Sequence, residues 1–103
     1  MPHQDSDILR KFRLIENLKA DLATSLGVVY QAMAQNRPQE EVSEALAQTV
    51  ICAYVLGRRL GVDYEQFEEI VNEKIGHNIT KNPEIERWFG DLSQLKKHFS
   101  SNP

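Results

Sequence analysis

EALAQTVICAYVLGRRLGVD, residues 44–63, is the most apolar stretch of the chain, and its reading sets the fold class. Val50, Ala53, Leu56 and Leu60 continue a series begun at Val42 and Leu46, at the three- and four-residue steps of one helix face. Gly61 follows as a residue suited to the left-handed position just past a helix end, so the spacing predicts a helix over about 39–60. Within it, VICAYVL is apolar on every side and has to be covered on every side. A chain of 103 residues has few elements with which to do so. Val50, Ile51 and Val55 are therefore expected at a subunit interface, in a homodimer or a dimer of dimers.

Upstream, Ile8, Phe12, Ile15, Leu18, Leu22, Leu26, Val29 and Met33 draw one apolar stripe down a long first helix, with Asp5 or Ser6 as its expected N-cap. Gly27 lies inside that helix at a cost of about 1 kcal/mol against Ala, and close packing of a neighbour would explain it. QNRPQEE, residues 35–41, breaks the pattern: Asn36 can end one helix and Pro38 suits the first turn of the next. The two long helices are thus expected as an antiparallel hairpin.

Downstream, Asp63 caps a third helix, with Gln66 three residues on as in a capping box. Tyr64, Phe67, Ile70, Val71 and Ile75 are its expected buried side, and Gly76 its expected stop. In HNITKNPEIERWFG, residues 77–90, Asn82 and Pro83 open a short helix that Gly90 closes. Asp91 and Gln94 repeat the capping box for a last helix carrying Leu92, Leu95 and Phe99. There is no alternating stretch, Gly-rich phosphate loop or internal repeat. The reading is all-α: one helical domain over residues 1–103, a long hairpin plus a third helix and short C-terminal helices.

Hydrophobic residues make up 41% and charged residues 26%, a globular balance that excludes a disordered chain. The net charge of −3 provides no general attraction to nucleic acid. Arg10, Lys11 and Arg13, then Arg58 and Arg59, then Lys96 and Lys97 form short basic clusters interrupted by apolar residues, which read as solvated helix faces. Cys52, the single cysteine, has no internal disulfide partner and no neighbouring cation in sequence, so it reads as a buried, inert thiol. MPHQDSDILRKF is too polar for a signal peptide, and no uncharged apolar run is long enough to cross a bilayer. A cytoplasmic location is the default expectation, in which the sequon Asn78-Ile79-Thr80 carries no weight. His3, His77 and His98 lack metal-ligand spacing. Trp88 and Phe89 read as packing residues.

A long helix, a short turn, an apolar helix ending in LGVD (residues 60–63) and a third helix ending in NEK (residues 72–74) resemble the MazG-like branch of the all-α nucleotide pyrophosphohydrolases. The resemblance covers roughly residues 14–76 and is carried most strongly by RRLGVDYEQFEEIVNEKI, residues 58–75. WFGDLSQLKKHF, residues 88–99, looks like the tail of small MazG-like proteins. The resemblance implies a helical bundle and a Mg²⁺-dependent cleavage of nucleoside triphosphates to monophosphate and pyrophosphate. It further implies an ExxE motif on the first long helix facing an ExxD on the second. Carboxylates three residues apart share a helix face, and Mg²⁺ requires such hard oxygen ligands.

Carried over residue by residue, the ExxD positions fall on Ala45 and Gln48, and the acidic positions of the first helix near Thr24, Ser25 and Val28. Neither Leu22 to Gln35 nor Ala45 to Val62 contains an acid. Glu41 and Glu44 form an ExxE one turn earlier. In a hairpin turning at residues 36–38, facing residue numbers sum to about 75 because both helices rise equally per residue. Glu41 and Glu44 then face Ala34 and Gln31, and their place in a first helical turn suits the helix dipole. They are the metal ligands, with Mg²⁺ as cofactor, only if hydrolysis survives. The same rule sets Glu16 opposite Arg58 and Arg59 as an ion pair, and Asp21 near Tyr54.

The expected function is accordingly a catalytically degenerate relative without a resident cofactor, acting as a binding or oligomeric module. An active Mg²⁺-dependent pyrophosphohydrolase is the alternative, and a nucleic-acid-binding helical protein the weakest reading. Gln48, Tyr54, Asn72 and Lys74 are the candidate contacts to a nucleotide, the last two through the match to the family's NEK. Thr24, Ser25, Gln48, Thr49 and Tyr54 would either line a small polar pocket or satisfy one another.

Overall fold

The computed structural model describes residues 3–81, 84, 87 and 90–101, with side chains described for residues 7–81, 84, 87 and 90–100. Regular structure among the described residues is entirely helical: α1 is His3–Ala34, α2 Gln39–Arg59, α3 Tyr64–Lys81 and α4 Asp91–Ser101. They fall into two compact units, Met1–Asp63 and Tyr64–Pro103. In the first, α1 packs against α2 as the expected hairpin, and in the second α3 packs against α4.

The hairpin turn follows from local chemistry. Asn36 takes a positive φ of 54°, which its short amide side chain tolerates. The Asn36 N–H then donates to the Met33 carbonyl at 3.1 Å and the Arg37 N–H to the Ala32 carbonyl at 2.9 Å, satisfying the open end of α1. Gly61 closes α2 in the same way at φ 103°, with the Val62 N–H on the Gly57 carbonyl at 2.9 Å.

Three helix boundaries differ from expectation or lie beyond description. α1 begins at His3 and runs through Asp5 and Ser6, so neither is its N-cap. α3 passes straight through Gly76 to Lys81. A glycine stops a helix only when it turns left-handed, whereas Gly76 sits inside the helix against α4, where an added Cβ would lie 3.6 Å from Lys96 Nζ. The short helix expected from Asn82 and Pro83, with Trp88 and Phe89, lies outside the described residues.

Gly27 also departs from expectation. An added Cβ there would meet nothing within 4 Å, so no close neighbour in the chain explains it. Gly27→Ala is therefore expected to stabilise the protein by about 0.5–1 kcal/mol through helix propensity and a less flexible unfolded chain. A thermal melt checks this, and a lowered melting temperature would mean that something does press on Gly27.

The core of the hairpin is a narrow seam of small residues. Val29 and Ala32 of α1 and Ala45 and Cys52 of α2 are all buried, together with Ser25. Ile75 is the buried centre of the second unit. The seam covers only part of α1, which has 32 residues against 21 in α2. Ser25 touches Cys52, which places residue 18 level with Arg59, the last residue of α2. Nearly the first half of α1 thus extends beyond its partner, by about 22 Å at the helical rise. There Ile8 and Phe12, the start of the expected apolar stripe, remain 64% and 60% exposed. Among the described residues, no helix is long and apolar enough to cross a membrane.

Candidate functional site

The residues expected to decide catalysis sit on the α1–α2 seam. Ser25, Val29 and Ala32 follow the i, i+4, i+7 rhythm of one helix face, and Ala45 and Cys52 lie two turns apart on the facing helix. Their side chains are short, so the two backbones can approach closely. The polar groups of the seam are taken up by one another. Ser25 Oγ lies 3.9 Å from Cys52 Sγ, and Gln48 Nε2 donates to the same sulfur at 3.6 Å. Thr49 Oγ1 donates to the Ala45 carbonyl one turn back at 2.9 Å. Cys52 is buried, as its sequence context implied. Thr24 and Val28, the other transferred positions, are exposed.

The length and pairing of these helices invite comparison with known proteins. A model of the MazG-like family matches residues 8–92. The chain belongs to that family. No curated protein and no solved structure matches it.

For a MazG-like chain the question is whether this seam can accept the Mg²⁺ that the family's acidic motifs would hold. The donors present are the Ser25 hydroxyl, the Gln48 amide and the Cys52 thiol, and the other transferred position on α2 offers only the methyl group of Ala45. Mg²⁺ needs charged or strongly dipolar oxygen donors in a near-octahedral array. These residues do not fit it. Nowhere among the described residues do three or more His, Cys, Asp or Glu side chains come together in a group able to hold a metal.

Glu41 and Glu44, the fallback ligands, fare no better as a pair. Arg37 grips Glu41 through two hydrogen bonds, Nε to Oε2 at 2.7 Å and Nη2 to Oε1 at 3.1 Å. Such a bidentate fork occupies both carboxylate oxygens. The residues facing these glutamates in the observed register are near Asn36 and Met33, which again supply no acid. The hydrogen bond from Arg37, aided by its charge, holds the Glu41 carboxyl below its ordinary range, against a smaller opposing effect of desolvation. The same hydrogen bond raises the Arg37 guanidinium further.

A depressed folded-state carboxyl favours folding above its unfolded value and loses that contribution as pH falls through the folded value. Carboxyl-resolved NMR is expected to show Glu41 titrating below the free-peptide value, and Arg37→Gln to return it upward. An unchanged midpoint in Arg37→Gln would show that the fork does not persist in solution. The i, i+4 spacing of Arg37 and Glu41 across Pro38 is the sequence signal for this pair, and it belongs to no functional motif.

The pair expected between Glu16 and Arg58 or Arg59 does not form. Glu16 Oε2 accepts from Lys19 Nζ at 2.8 Å, three residues along its own helix. Two causes act together. The Ser25–Cys52 contact shifts the hairpin register by two residues, leaving Glu16 level with Gly61, beyond the end of α2. A cation three residues away on the same exposed face also needs no tertiary contact to be reached.

Of the candidate nucleotide contacts, Gln48 is exposed and directed at Cys52, and Tyr54 is half-buried on the same helix. Asn72 and Lys74 lie on α3 but line different shallow depressions, Asn72 beside Glu65, Glu68 and Glu69, and Lys74 beside Ile70, Glu73 and His77. A buried Asn72 Oδ1 has no hydrogen-bond partner among the described residues. Three glutamates around Asn72 would repel a polyphosphate rather than receive it. On α2, Val50 and Ile51 are each 54% exposed and Val55 is half-buried, so the apolar face singled out in the sequence is presented on the surface of the hairpin.

Proposed function

We propose that this MazG-like chain is a non-catalytic member of its family, a helical module that works by assembling with itself and by binding rather than by hydrolysis. The observation that carries this reading is the chemistry of the seam: where the family's carboxylates would face one another, Ser25 and Ala45 are each 8% exposed and packed among small residues. A site for Mg²⁺ and a polyphosphate has to gather several negative charges, and a buried alanine seam has neither the charge nor the room.

Assembly is the second half of the proposal. Val50 and Ile51 place two large aliphatic side chains side by side on the hairpin surface, next to half-buried Val55. The few buried residues of each unit make a small core for a chain of this size, and association would supply the missing burial. A homodimer, or a dimer of dimers, with α2 in its interface is the form we favour, in the cytoplasm and without a nucleic-acid or membrane partner.

Val50→Asp tests this part. Because Val50 is half exposed in a single chain, the substitution leaves the hairpin folded, but in the assembly it buries an unpaired charge. The dissociation constant measured by sedimentation is expected to rise by about a hundredfold or more, with helical content retained. A wild-type chain that sediments as a monomer at micromolar concentration would contradict the assembly outright.

Family membership favours one other reading, an active pyrophosphohydrolase. Thermal melts with and without Mg²⁺ separate the two, since a specific ligand of the native state must raise its melting temperature. We expect no shift.

A further inference from the structure

We propose that α1 seats antiparallel on α1 of a second copy of this chain, through an apolar face that α1 and α2 share, with the two hairpin turns at opposite ends of the dimer. The proposal rests on the reading above that the chain assembles, and names the face and register by which it does so.

The buried seam fixes where that face lies. At 3.6 residues per turn, Ile8, Phe12, Leu26 and Met33 stand about 80–140° round α1 from the seam residue Ser25. Leu46 and Val50 stand about 100–140° round α2 from the seam residue Ala45. The helices run antiparallel, so a turn in the same sense on each brings both sets to one side of the hairpin. All six are 44–64% exposed. Arg10 and Arg13 fall on the opposite side of α1. Within the shared face, over residues 8–33 and 42–57, Lys19 is the one charged residue, and its ammonium is held by Glu16 at 2.8 Å. An apolar face so extended and so free of charge marks a contact surface rather than scattered surface residues.

The length and spacing of the face identify its occupant. From Ile8 to Met33 it runs about 38 Å along α1. With 21, 18 and 11 residues, α2, α3 and α4 reach only about 32, 27 and 17 Å. Among the described helices α1, with 32 residues, spans it. The face also complements itself. Ile8 and Met33, and likewise Ile15 and Leu26, stand symmetrically about the point between residues 20 and 21.

Two antiparallel copies centred on that point set each Ile8 against Met33 of the other copy and each Ile15 against Leu26, as a twofold axis requires. Lys19 then lies opposite Leu22, where its apolar stem covers the leucine while its charge stays with Glu16. The overhang of each copy, which α2 does not reach, is covered by the turn end of the other, beside Leu46 and Val50. In flat outline the shared face amounts to roughly 600 Å², and the relief of its side chains brings it towards the burial of about 800 Å² per partner typical of a stable dimer.

Cysteine pairing tests the register. Ile8→Cys and Met33→Cys each place a thiol at an exposed position, while the native Cys52 is buried. Treated with a short bismaleimide, a mixture of the two variants is expected to yield covalent dimer. Either variant alone is expected to yield no more than wild type, because like positions lie about 38 Å apart. Leu26→Asp tests the face. Leu26 is exposed in the single chain, so the hairpin folds, but the assembly buries an unpaired charge. The dissociation constant from sedimentation is expected to rise about a hundredfold or more with helical content retained. Thr24→Asp, on the far side of α1, is expected to leave it unchanged.

Ile8→Cys alone crosslinking as well as the mixture would overturn the antiparallel register, since the turns would then lie at the same end. A mixture that yields no covalent dimer would overturn it too. Leu26→Asp protein that associates as tightly as wild type would overturn the face while leaving assembly through α2 intact. A monomeric wild type would overturn both this proposal and the assembly it rests on.

Discussion

Ala45→Glu is expected to destabilise the protein by about 3 kcal/mol or more, rather than to restore a metal site. For a domain of this size that corresponds to a fall of roughly 10–20 °C in melting temperature. Ala45 is 8% exposed, and Ala32, its counterpart in the observed register, is equally buried. A glutamate there adds four heavy atoms beyond Cβ and one charge to a seam whose described residues include no cation to receive it. The carboxyl would have to stay protonated, push the helices apart, or unfold them. Gln48→Asp, at an exposed position one turn on, is expected to stay within about 0.5 kcal/mol of wild type. Calorimetric melts of the two variants, each with and without Mg²⁺, check the contrast. An Ala45→Glu protein as stable as wild type, and stabilised further by Mg²⁺, would mean that the seam opens into a cage.

Most of the helical frame could be read from the sequence because it rests on local chemistry. The turn at Asn36 and the stop at Gly61 were marked by residues whose backbones take a positive φ, and both appear as read. Gly76 was misread because a glycine in sequence does not disclose whether its backbone turns left-handed or merely makes room for a neighbour. The missing carboxylates were equally plain, since charge at Ala45, Gln48, Thr24, Ser25 and Val28 is a matter of residue identity alone. That Ser25 and Ala45 are buried while Thr24, Val28 and Gln48 are exposed was not legible, because burial depends on how the two helices are rotated about their axes.

The register error has a similar origin. Counting residues across a turn fixes a hairpin to within a residue or two, and an error of two moved Glu16 past the end of α2. Lys19, three residues away, could have been preferred from spacing alone. An exposed pair contributes little in any register, so neither partner of Glu16 bears on the seam. What the sequence could not disclose at all was the exposure of Ile8 and Phe12. Their place on an apolar stripe predicted burial, and only the difference in length between α1 and α2 reveals that nothing in the hairpin reaches them.

The second large effect expected is the absence of turnover. Hydrolysis of the kind the resemblance implies would need Mg²⁺ to offset phosphate charge, and holding Mg²⁺ would need facing carboxylates. In this chain the seam supplies a thiol, a hydroxyl and an amide, and Glu41 is held by Arg37. The measurement that tests this most directly is pyrophosphate release from each of the common nucleoside triphosphates, with Mg²⁺ and with Mn²⁺, at both low and high protein concentration. The account predicts release indistinguishable from the protein-free reaction in every case. Metal-dependent turnover that disappears in Glu41→Gln or Glu44→Gln would contradict it, and would place a working site at the start of α2.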